Sequence, residues 1–67
     1  MQIELNNSLK TSLNKGYIKT VDVIIFLLDQ GFTTTSAPEA TSLNMLSFNN
    51  KQVKSAYFKN DYLNLKF

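Results

Sequence analysis

A chain of 67 residues with no cysteine and no histidine has no disulfide framework and no thiolate or imidazole metal site, and it lacks the commonest catalytic base. Seven lysines against five acids leave a charge of +2 with no arginine. This mild basic tilt suits an anionic partner without demanding one, and it offers no guanidinium fork for phosphate or guanine. An apolar share of 43% belongs to one folded domain, whose core at this length is thin and is often completed by self-association into a homodimer.

Gln2 to Leu5 alternates polar and apolar residues, which predicts a short strand. A first helix is expected over 8–15, capped by Asn6 or Asn7, with Leu9 and Leu13 four apart on one face. Gly16 and Gly31 both stand before an aromatic residue, where a left-handed glycine ends a helix and the next residue packs back on the last turn. A second helix is expected over 21–30, with Thr20 as its cap and Asp22 at the positive end of its dipole. Val21, Ile24, Ile25 and Leu28 form one face, and Val23, Phe26 and Leu27 fill most of the rest. Such an apolar circumference predicts a central, buried helix. The β-branched residues here also allow a buried strand as the alternative.

Ser36-Ala37-Pro38-Glu39 has the form of a capping box, with proline tolerated in the first turn. It opens an expected third helix over 37–43. Asn44 or a residue beside it is then expected to take a positive φ as its stop. Asn49 and Asn50 offer a new cap for a fourth helix over 51–59, with Val53, Ala56 and Tyr57 inward. The tail 62–67 alternates and reads as a strand that pairs with 2–5 and protects both edges. The expected fold is therefore mainly α (α+β), with three to four short helices and a short terminal β-strand pair.

Residues 36–59 resemble a helix-turn-helix unit. Ala40 stands where that family carries a small residue at the helix contact, followed by apolar Leu43, Asn44 at the turn and apolar Met45. Val53 and Ala56 match the inward positions of its second helix. The stretch 45–50 is longer than the tight turn of the family. The resemblance implies a second helix lying in the major groove of duplex DNA. It assigns DNA contacts to Asn49, Asn50, Lys51, Gln52, Lys54, Ser55 and Lys59: Gln52 to adenine, the lysines to guanine or phosphate, and the asparagines to phosphate.

The inert alternative for each of these residues is an ordinary solvated, lysine-rich helix face. Phe58 is expected either to pack under the C-terminal strand or to mark a contact patch, and an apolar contact surface would lie around Phe58 and Phe67. Tyr17, Tyr57 and Tyr62 do not alternate with basic residues on one sheet face, so no RNA-stacking platform is expected. The five carboxylates stand apart, and neither a glycine-rich phosphate loop nor a nucleophile elbow is present. The sequence therefore points to a binding protein with no cofactor, not an enzyme. No signal-like segment opens it, and its longest apolar run is far too short to span a bilayer, so the expected location is the cytoplasm.

The first functional expectation is a small DNA-binding transcription regulator of phage or plasmid type. The second is a small phage-type inhibitor that binds a host protein without touching nucleic acid. A DNA reader should gather Lys51, Lys54 and Lys59 on one face, whereas an inhibitor should expose an apolar patch.

Overall fold

The computed structural model describes residues 1–34 and 42–67. Among these residues run strand β1 (Gln2–Glu4), helices α1 (Asn7–Lys15) and α2 (Thr20–Asp29), and strand β2 (Thr33–Thr34). A 3-10 turn (Leu43–Met45) then leads into β3 (Leu46–Phe48), β4 (Lys51–Gln52), β5 (Ser55–Lys59) and β6 (Tyr62–Lys66). The strands form two antiparallel sheets, in the orders β1-β6-β5 and β2-β3-β4.

Both helices form where their caps and periodicity place them. Asn6 caps α1 by accepting the Leu9 amide at 2.9 Å. At its end the Gly16 amide donates to Leu13 and the Tyr17 amide to Ser12, and Gly16 takes a φ of 78°. α2 ends the same way, with Gly31 at φ 104° and the Phe32 amide donating to Leu27. This is the double bond of the Schellman motif, which satisfies carbonyls that a helix end leaves bare. The start of α2 differs from expectation, because Lys19 is the cap residue and makes no side-chain capping bond.

The mainly helical architecture is overturned by residues 51–59. No helix forms there; the segment is strand β4, a link at Val53 and Lys54, and strand β5. Two turns explain why. Phe48 pairs with Lys51 and Lys59 with Tyr62, leaving two-residue loops at Asn49-Asn50 and Asn60-Asp61. All four loop residues have positive φ, between 51° and 65°, which defines the type I′ turn that matches the twist of a hairpin. Asn and Asp tolerate that conformation, so the residues that resembled a helix cap and a helix stop instead close hairpins. A positive φ is expected at Asn44 or beside it, but Asn44 lies in the 3-10 turn and neither it nor Leu43 or Met45 has one. The capping box 36–39, Ala40 and most of the helix expected over 37–43 lie outside the described residues.

The terminal strand pair is present as expected, with Gln2 opposite Asn64 and Glu4 opposite Tyr62. The core gathers Leu27, Leu46, Val53 and Leu63 at its centre, with Leu5, Leu9, Val23, Ile24, Phe26, Phe32 and Leu65 around them. Phe32 lies between two aromatic neighbours, 4.8 Å from the Phe48 ring and 6.4 Å from that of Phe67, within the usual range for ring pairs. α2 therefore contributes Val23, Ile24, Phe26 and Leu27 to one buried cluster with Leu46 of one sheet and Leu63 and Leu65 of the other. It is not buried all round, as its composition suggested.

Candidate interaction surfaces

The residues assigned to duplex DNA scatter once the helix over 51–59 is gone. Asn49 and Asn50 are turn residues at the tip of the β3–β4 hairpin. Lys51 is exposed on β4, and the neighbouring Gln52 donates its side-chain amide to the Asn44 carbonyl at 2.6 Å. That bond ties the 3-10 turn to the hairpin and gives Gln52 a structural role. Lys54 lies at the link between the sheets, and Ser55 and Lys59 lie on the solvent side of β5. The helix that was to enter a major groove does not exist among the described residues. Phe58 and Phe67 do not form an exposed patch either. Both are half-buried against the core, Phe58 opposite Leu63 and Phe67 near the Phe32 ring.

Two other surfaces emerge. The first is on α2. Val21, Ile25 and Leu28 are 55%, 54% and 39% exposed, and their spacing of four and three places them in one row along the helix. Single exposed apolar residues are ordinary; here three stand together in one row. Asp22 and Asp29 lie seven residues apart on one flank of this row, about 10 Å apart along the axis. They also line a groove of about 240 Å³ between α1 and α2, together with Ser8, Ser12 and Ile25.

The electrostatics of this flank are unbalanced. Among the described residues the ion pair is Lys10 with Glu4, at 2.9 Å, and the Glu4 hydrogen bond holds the Lys10 ammonium above its usual range. Asp22 and Asp29 are in no such pair. Asp22 is in the first turn of α2, where the helix dipole favours an anion, but Asp29 is the last helical residue and no basic residue accompanies it there. A carboxylate at that end opposes the dipole.

The second surface is the outer face of the β1-β6-β5 sheet. Strand alternation points Ile3, Ala56, Phe58, Leu63 and Leu65 inward and leaves Gln2, Ser55, Tyr57, Lys59, Tyr62, Asn64 and Lys66 on the other side. Tyrosines and lysines thus share a sheet face, contrary to the sequence reading, which had placed Tyr57 and Lys59 on a helix. The period-two pattern of 55–59 was the available signal. For α2 the signal was the pair Asp22 and Asp29, which set the row beside them next to water.

Among the described residues there is no cluster of three potential metal-binding side chains and no helix long and apolar enough to cross a membrane. No family model, curated protein or solved structure matches the chain.

Proposed function

We propose that this chain is a protein-binding module, of the small phage-type inhibitor kind, that docks the outer row of α2 against a partner segment with its own apolar row and basic flank. The observation that carries this reading is the exposure of Val21, Ile25 and Leu28 in one line. Fully covering such a side chain contributes about 1.5–3 kcal/mol, of which association retains only a part. Asp22 and Asp29 supply the specificity, since opposite charge across an interface favours the right partner and excludes the wrong one.

The same acids disfavour a second copy as occupant. In a two-fold antiparallel pairing of α2 with itself, the carboxylate of Asp22 comes alongside that of Asp29 from the other copy. α2 carries no lysine to offset them. The fitting partner is therefore an amphipathic helix with two lysines or arginines about one heptad apart.

A displayed library of helical peptides tests this directly. Selection on the wild-type protein should enrich apolar residues at three- and four-residue spacing with basic residues seven apart. Ile25→Ser should lose most of that binding while keeping a native circular dichroism spectrum. Failure to enrich any such sequence, or equal binding by Ile25→Ser, would overturn the reading.

A further inference from the structure

We propose that the outer face of the β1-β6-β5 sheet is a second site, one that binds single-stranded nucleic acid by stacking bases on Tyr57 and Tyr62. It involves none of the α2 residues and stands or falls apart from the docking proposal.

The register builds the site. Tyr57 faces Asn64, and Lys59 faces Tyr62 across β5 and β6, so the two tyrosines are diagonal neighbours. Diagonal positions on one face lie about 7–8 Å apart, within reach of large side chains. Tyr57 is 53% exposed, which leaves its ring open to a ligand, and Tyr62 is half-buried beside it. Lys59 and Lys66 are exposed on the same face, on either side of the row formed by Gln2, Asn64 and Tyr57. Glu4 is the one acid on that face among the described residues, and its charge is taken up by Lys10.

Two further features point to a planar, hydrogen-bonding ligand. A depression of about 370 Å³ lies beside Tyr57, bordered by Gln2, Asn64 and Lys66. The Asn64 side chain accepts from the Gln2 amide at 3.3 Å, but its own Nδ2 is buried with no acceptor among the described residues. That atom is closed to an incoming group, so the exposed Gln2 amide and Lys66 ammonium are the donors that a base carbonyl beside Tyr57 would meet. Aromatic faces, flanking lysines and an amide donor are the chemistry by which single strands are held with little sequence preference. Residues 55, 57, 59, 62, 64 and 66 present Ser, Tyr, Asn and Lys with no aliphatic side chain, and Met1 borders the depression at its edge.

The test is fluorescence anisotropy with labelled oligothymidylate and oligouridylate at low salt, against an abasic strand of equal length and a duplex. Both single strands should outcompete the abasic strand and the duplex. Tyr57→Ala should weaken binding by roughly tenfold or more, and Tyr57→Phe should keep it. Lys59→Ala and Lys66→Ala should each reduce the salt slope by about 0.7, and Ile25→Ser should change nothing. The inference is overturned by equal affinity for the abasic strand, by tighter binding of duplex, by a natively folded Tyr57→Ala that binds like wild type, or by no binding at low salt.

Discussion

The Val53 amide donates to the Leu46 carbonyl at 3.0 Å in one sheet, and the amide of the next residue, Lys54, donates to Lys66 at 2.7 Å in the other. These two adjacent residues join the sheets. Alternation breaks at this point: Val53 is buried, Lys54 and Ser55 are both exposed, and Ala56 turns inward again. The link between β4 and β5 thus passes from one sheet to the other and carries the apolar side with it.

Val53 should therefore be among the most sensitive positions. Val53→Ala removes two methyl groups at the centre of the core and should cost about 2 kcal/mol, including the cavity left behind. Urea denaturation measures this. A loss no larger than that of an exposed substitution such as Lys51→Ala would show that the junction does not hold the sheets together.

The turns make the opposite prediction. Asn50 and Asp61 occupy the second loop position of the two type I′ hairpins, at φ 64° and 65°, where glycine carries no Cβ penalty. Asn50→Gly and Asp61→Gly should each raise stability by about 0.5–1 kcal/mol, whereas Asn50→Val should lower it by more than about 1 kcal/mol. If residues 49–50 capped a helix instead, Asn50→Gly would show no such gain in the denaturation midpoint.

Asp29 should trade stability for binding. Its carboxylate opposes the α2 dipole, so Asp29→Asn should stabilise the free protein by about 0.3–1 kcal/mol at low salt. The same change should weaken capture of the basic peptides selected on the wild type. Calorimetry of the free variant alongside peptide titration separates the two effects. A variant that loses stability would show that an unrecognised cation already serves Asp29.

The Lys10–Glu4 pair gives a pH signature. Bonding to Glu4 raises the Lys10 ammonium above its ordinary value of 10.5, so the folded state holds that proton more tightly than the unfolded chain. The stability this supplies is fully present below about pH 10.5 and is lost as pH climbs through the raised value. The difference in midpoint between wild type and Lys10→Met should stay constant from neutral pH to that point and close above it. Because the pair is exposed, salt should shrink the difference.

Much of the local structure of the first half was legible in the sequence: α1 with an asparagine cap, both glycine stops, and α2 as the preferred reading over a buried strand. Each rests on signals within a few residues, namely a cap, a period or a left-handed stop. The exclusion of thiol and imidazole chemistry was equally legible, because it depends on composition alone.

The second half was decided by tertiary structure. Val53, Ala56 and Tyr57 fit a helical period, while 55–59 also alternates, and Asn49-Asn50 serves equally as a helix cap or a hairpin turn. The pairing of β5 with β6 and of β4 with β3 is made across tight hairpins. The choice of strand over helix rests instead on the burial of Val53 and Phe58 against α1 and α2, which exists only when distant segments meet. The two candidate surfaces were hidden for the same reason. Which side of α2 faces water, and whether Tyr57 shares a face with Lys66, depend on what packs beneath them.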